Sequence, residues 1–193
     1  MIAQWRELAE KLFNDVALLT RDHHEGITRE SYGPGENDTI AYLTDFALSH
    51  GLDVRSDRAG NVIFKRKNDN GQAALWYGSH LDSVPQGGNY DGLAGVVAGL
   101  LCLFRLDQEH AETTHPIRVI GLRGEESAWY GKSYIGSRAL LGGLTDQDLC
   151  LTNRSSKRTL AQAMEAVGAD LEAIQRQEWL IDRSQFAGYL EIH

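Results

Sequence analysis

Residues 73–106 constrain the fold more than any other stretch. An apolar run, Ala73 to Tyr77, leads into Gly78-Ser-His-Leu-Asp-Ser-Val-Pro-Gln-Gly-Gly-Asn-Tyr-Asp-Gly92. A glycine-spaced apolar run, Leu93 to Leu106, leaves it. A short apolar run, turn residues and a longer apolar run read as strand, loop and helix. The loop gathers His80, Asp82 and Asp91. In open α/β sheets, sites form just beyond the carboxyl ends of strands. This loop reads as half of a metal centre.

The other half is sought at the end of a second such strand. Pro116 to Leu122 is apolar and ends in Arg123-Gly124-Glu125-Glu126-Ser127. Near the carboxyl end of the chain, residues 186–193 alternate like a strand, with Tyr189, Glu191 and His193 on one face. Upstream, residues 2–21 have helical spacing, with Trp5, Leu8, Leu12, Phe13, Val16 and Leu19 on one face. A helix capped by Asn37 or Asp38 and running to about Ser49 turns Ile40, Leu43, Phe46 and Ala47 inward. Leu52–Ser56 and 61–65 read as two strands around a turn. Short helices are expected over 146–151, 159–167 and 170–176.

A length of 193 residues allows one ordinary domain or somewhat more. The net charge of −8 argues against nucleic acid or an anionic membrane as partner. The two cysteines make neither a disulfide framework nor a CxxC zinc site, and Cys102, inside the apolar helix, is expected in the core. The amino terminus lacks the apolar centre of a signal peptide, and no run is long enough to span a membrane, so the cytoplasm is the expected location.

The candidate residues suit a dinuclear hydrolytic site, which needs imidazoles, carboxylates and one shared carboxylate. His80 can take one metal. Asp82, two residues on in extended chain, points the same way and can accept the other ring N–H. Asp91 is placed to bridge at the helix start, where it can also serve as an N-cap. Glu125 and Glu126 are neighbours and cannot ordinarily ligate one ion from the same face. That suits a division of labour, one ligating and one handling protons. The paired His23 and His24 beside Glu25 read as a solvated loop. Gly131-Lys132-Ser133 resembles the tail of a phosphate loop, but Glu126 stands where the earlier glycine belongs. There is no G-x-S-x-G and no H-E-x-x-H.

Gly78 to Val96 resembles the first metal motif of the amidase/hydantoinase/carbamoylase family, which includes N-carbamoyl-L-amino-acid hydrolases, allantoate amidohydrolase and β-ureidopropionase. Glu125 to Gly131 and Gly136 to Gly142 resemble the second motif, and Leu190 to His193 the third, up to its histidine. The resemblance covers essentially the whole chain. It implies that His80, Asp91 and His193 hold one divalent ion, and Asp91 and Glu126 the other. Glu125 would be the general base and then acid, and Asp82 the orienter of His80. Two divalent ions are implied, zinc first, with Mn, Co or Ni also suited to such ligands. The second site has too few ligands in this chain for a tetrahedral set.

The resemblance also implies the fold: three-layer α/β/α with a mixed central sheet, like the zinc aminopeptidases. The chain would be the N-terminal part of the catalytic domain. The lid and dimerisation domain, through which the family is homodimeric, and the C-terminal catalytic segment fall outside its 193 residues. The expected function is hydrolysis of linear C–N bonds in N-carbamoyl amino acids or other small ureido compounds, weak or absent in this piece alone. A non-catalytic domain that folds or self-associates without metal is the alternative from another class. Dipeptidase or aminoacylase is the alternative among enzymes.

Overall fold

Five strands form one mixed sheet in a computed structural model that describes residues 2–193. They are β1 (Leu52–Ser56), β2 (Val62–Arg66), β3 (Ala74–His80), β4 (Ile117–Leu122) and β5 (Phe186–Glu191), in the order β1-β2-β4-β3-β5. β2 runs antiparallel to β1 and β4, while β3 runs parallel to β4 and β5. β3 extends three residues beyond the apolar run, so His80 ends the strand instead of following it.

Each sheet face carries its own core. On one face, α1 (Ile2–Thr20), α2 (Pro34–Ser49) and α3 (Leu93–Gln108) pack Leu12, Val16, Leu43, Ala47, Val96 and Leu100 against Val62, Phe64 and Val119. On the other, α4 (Ile135–Leu140), α5 (Asp146–Leu149), α6 (Leu160–Ala166) and α7 (Leu171–Gln175) cover Ile63, Trp76 and Ile120. This is the expected three-layer α/β/α arrangement. Strand alternation explains it, since Val62 and Phe64 face one core and Ile63 the other.

Several local expectations need correction. α2 starts at Pro34, with Gly33 as its cap and no side-chain cap bond; the proline ring presets the first helical φ. Leu19 is half exposed, because the buried stripe 12–16 continues to Thr20, whose hydroxyl donates to the Val16 carbonyl. Cys102 is exposed: α3 is apolar nearly all round, but only the stripe through Val96, Leu100 and Leu103 meets the sheet. A helix not expected from sequence, α4, lies within the glycine-punctuated stretch. α5, α6 and α7 lie where short helices were expected. Thr145, Thr159 and Asp170 cap them through side-chain oxygens that accept backbone N–H groups.

Candidate metal centre

The carboxyl ends of three parallel strands meet at one rim. β3 delivers His80, opposite Leu122 of β4 in register, and Glu125 and Glu126 follow just beyond. On the other side, Gly78 pairs with Glu191 of β5, so two residues further on His193 lies alongside His80. Reading residues 186–193 as a strand with Glu191 and His193 on one face leads to the same juxtaposition.

The His80 ring is buried, and its two nitrogens have separate surroundings. Nδ1 lies 3.0 Å from the Asp82 carbonyl oxygen and 3.4 Å from the Asp82 carboxylate. Nε2 faces His193 Nε2 at 3.1 Å, with Asp91 Oδ1 at 4.0 Å from His80 and 3.5 Å from His193. Donors on a tetrahedral zinc with bonds of about 2.0–2.1 Å sit about 3.3 Å apart. The imidazole pair and the carboxylate are therefore close to the spacing of a zinc ligand set. Ligand atoms of His80, Glu125 and Glu126 also lie within 4.8 Å of one another, as do those of His80, Asp91 and His193. The two groups share His80. Asp91 and Glu126, the pair implied for the second ion, do not fall in one group among the described residues.

Asp82 does more than face the imidazole. It is fully buried, and its Oδ1 accepts the Glu125 N–H at 2.9 Å. Its Oδ2 accepts the Glu126 N–H at 3.0 Å and the Ser31 hydroxyl at 2.5 Å. One carboxylate thus ties the His80 loop to the backbone of both glutamates. Asp91 is not a helix cap: Gly92 takes that position, at φ +67°, leaving the Asp91 side chain half exposed toward the histidines. A Cβ on Gly92 would stand 2.5 Å from the His80 ring, so glycine is required for both conformation and space.

The charges raise two proton affinities. Burial works against the His80 cation, but the Asp82 hydrogen bond and charge, with Glu125 and Asp91 behind, lift its pKa to about 8. Burial and the neighbouring charges of Asp82 and Glu125 push the Glu126 carboxyl above its usual range.

Sequence reasoning missed a supporting layer from residues 29–36. Arg29 is fully buried beneath the loop, and Ser31 reaches Asp82. Glu36 accepts from Arg123 at 2.6 Å, from the Tyr32 N–H and from the Gly124 N–H, fixing the second loop from below. Pro34 at a helix start was the one local signal of order here. His23, His24 and Glu25 are exposed and join neither donor group. Lys132 of the rejected phosphate-loop pattern pairs with Asp148. Beside Glu125 lies an apolar cavity of about 520 Å³, lined by Trp76, Ile120, Leu122, Trp179 and Phe186. No helix among the described residues is long and apolar enough to cross a membrane.

The chain is similar in sequence and fold to known proteins. A curated N-carbamoyl-L-amino acid amidohydrolase of Geobacillus stearothermophilus is 36% identical over 167 residues, 86% of this chain and 39% of its own. The allantoate amidohydrolase of Escherichia coli (strain K12) is 26% identical across 100% of this chain and 46% of its own. A crystal structure of a hydantoinase/carbamoylase family amidase from Burkholderia ambifaria superposes with a TM-score of 0.75 at 27% identity, covering 84% of this chain and 40% of that one. The chain thus spans less than half the length of these relatives. The family model described as Peptidase family M28 matches residues 61–187, well over half of the chain, and the chain belongs to that family.

Proposed function

We propose that this chain provides the N-terminal part of the catalytic domain of a metal-dependent amidohydrolase. Its substrates would be small N-carbamoyl amino acids or related ureido compounds, cleaved at a linear C–N bond. The observation that carries the reading is that His80 belongs to two clusters of possible ligand atoms, one with Asp91 and His193 and one with Glu125 and Glu126, each within 4.8 Å. The relatives named for N-carbamoyl amino acid and allantoate hydrolysis support the substrate class. By the resemblance to the amidase/hydantoinase/carbamoylase family, a lid and dimerisation domain and a C-terminal catalytic segment would complete the site.

His80, Asp91 and His193 would hold one divalent ion and Glu126, with Asp91, the other, zinc being the first choice for such ligands. Bound there, the ions would supply Lewis acidity toward a carbonyl oxygen and toward water. Glu125, whose backbone is pinned by Asp82, would accept the proton of the attacking water. It would then return that proton to the departing nitrogen. Asp82 would accept the His80 Nδ1–H, through its carbonyl oxygen at 3.0 Å with the carboxylate behind, and so leave the Nε2 lone pair free for a metal.

The test combines metal analysis by mass spectrometry with turnover assays on N-carbamoyl amino acids in zinc, manganese and cobalt. Bound metal with little or no turnover is expected of the 193-residue piece. Robust turnover would contradict its being only part of a centre. A chain that excludes metal and self-associates would mark a non-catalytic domain. The match to a peptidase family favours a second reading, dipeptidase or aminoacylase. Release of amino acids from dipeptides or N-acetyl amino acids, with carbamoyl compounds untouched, would establish it.

A further inference from the structure

We propose that Arg29 is a positioning residue for the metal centre, clamping together the two ends of the loop that carries His80 and Asp91. The proposal rests on the metal-binding reading of those two side chains. Arg29 lies outside the family match, which begins at residue 61. It is fully buried. Its Nε donates to the Leu81 carbonyl at 2.7 Å, directly after His80. Its Nη1 donates to Asn89 Oδ1 at 3.2 Å, and its Nη2 reaches the Asn89 and Asp91 carbonyls at 3.5 Å. The planar fork therefore spans from one end of the loop to the other, which a point-charge ammonium cannot do.

The clamp is itself held. The Arg29 N–H donates to Ser83 Oγ, and the Ser83 N–H donates back to the Arg29 carbonyl, both at 3.0 Å. Asn89 is fixed from the far side, its Nδ2 donating to the Phe13 carbonyl of α1 at 2.9 Å. No carboxylate touches Arg29 among the described residues; Asp82, Asp91 and Glu36 act on its charge from a distance. A buried guanidinium without a contacting counter-ion is costly to keep in a fold. Here its hydrogen bonds go to the loop that carries the candidate ligands, and its charge faces a site crowded with acids. Both features serve ligand geometry: the spacing between His80 Nε2 and Asp91 Oδ1, and the tolerance of the site for its own negative charge.

The experiment uses the whole chain with Arg29→Met, Arg29→Lys and Asn89→Ala. Zinc affinity is read by competition with a chromophoric chelator, and ligand geometry by the visible spectrum of the cobalt(II) form. Folding of each chelated variant is followed by circular dichroism. Arg29→Met is expected to weaken zinc about 10- to 100-fold and to alter the cobalt bands, in the range seen for residues that orient metal ligands. Arg29→Lys keeps the charge but not the fork, and is expected to leave the cobalt bands altered. A folded Arg29→Met variant with wild-type affinity and spectrum overturns the proposal. So does a variant that loses only thermal stability. Should Arg29→Met not fold, Asn89→Ala decides: an affinity within twofold of wild type overturns the clamp, and a fall of several-fold supports it. If the wild-type chain takes up no zinc, the metal reading fails and the clamp fails with it. Zinc uptake by the wild type with no effect of these variants defeats the clamp alone.

Discussion

His80 and His193 face each other through their Nε2 atoms at 3.1 Å, although 113 residues separate them in sequence. Two ring nitrogens at that distance can share a proton or a cation. A shared hydrogen bond needs one ring protonated at Nε2, which the protonated His80 of the metal-free fold supplies. A cation with Asp91 beside it uses both lone pairs. His193→Ala should therefore reduce zinc affinity by more than tenfold, while leaving the melting temperature of the chelated chain nearly unchanged, because the His193 side chain is half exposed. Calorimetric titration of zinc into wild type and variant checks this. Equal affinities would remove His193 from the ligand set.

The pH dependence should reverse sign with metal. In the metal-free fold, His80 holds its proton to about pH 8, against an ordinary value of 6.5. A raised folded pKa stabilises fully below about 6.5, and that contribution is lost as pH climbs through about 8. Zinc binding requires the unprotonated ring, so its stabilising effect grows over the same window. Melting temperatures measured with chelator and with zinc between pH 6 and pH 9 should diverge as pH rises. Parallel curves would show that His80 is not the group being competed for.

Asp82 should be the most sensitive carboxylate in both stability and metal affinity. Asp82→Ala strands the Glu125 and Glu126 N–H groups and the Ser31 hydroxyl, and removes the carboxylate 3.4 Å from the His80 ring, whose Nδ1 keeps the backbone carbonyl of residue 82. Buried groups without partners cost about 1–3 kcal/mol each, so a loss of about 3 kcal/mol or more is expected. Ser31→Ala leaves the carboxylate its two amides and should cost only about 1 kcal/mol. Urea titration of the chelated chains orders the three proteins. A Ser31→Ala loss as large as that of Asp82→Ala would mean that Asp82 is not the centre of this network.

Much of this arrangement was legible because it is local or periodic. His80 and Asp82 share a strand-like spacing, and the apolar runs before the two acidic loops marked β3 and β4. Glu191 and His193 followed from alternation along β5. The supporting residues were illegible for a common reason. Arg29 meets Leu81 and Asn89 across 52 and 60 residues, and Arg123 meets Glu36 across 87. No short pattern announces such a pairing. Only the additional capping role of Asp91 was misread, for a different reason. Capping preference favours Asp, but the chain turns through Gly92 at positive φ and frees the carboxylate for the site. Cys102 shows the limit of apolar pattern alone, since an almost uniformly apolar helix does not declare which side is covered.

Gly95 should matter through the tail of β5. A Cβ there would stand 2.1 Å from the Ile192 carbonyl oxygen and 2.7 Å from the Ser79 Cβ. Backbone cannot yield as a side chain end can, so Gly95→Ala should push residues 192–193 off α3 and carry His193 away from His80. The variant is expected to lose zinc affinity to about the level of His193→Ala, and the double variant should be no worse than either single one. Additive losses in a double-mutant cycle would show that Gly95 acts elsewhere.

The outer edge of β5 should drive self-association. β5 is the last strand in the sheet order, and its outer side meets no strand among the described residues. Tyr189, Leu190 and Ile192 are about half exposed there, on both faces of the sheet. Residues 186–192 contain no lysine or proline, the residues that commonly blunt an edge. An edge of this kind offers unpaired backbone donors and acceptors together with apolar side chains. Light scattering across a concentration series should show the wild-type chain growing in mass as concentration rises. Leu190→Lys places a charge on the edge, on the face opposite the Tyr189 and Glu191 side chains. It should shift the chain toward monomer while leaving zinc affinity within about twofold, since Leu190 alternates away from His193 along the strand. A wild-type chain that stays monomeric at high concentration, or a Leu190→Lys chain that associates as before, would show that this edge is not where copies meet.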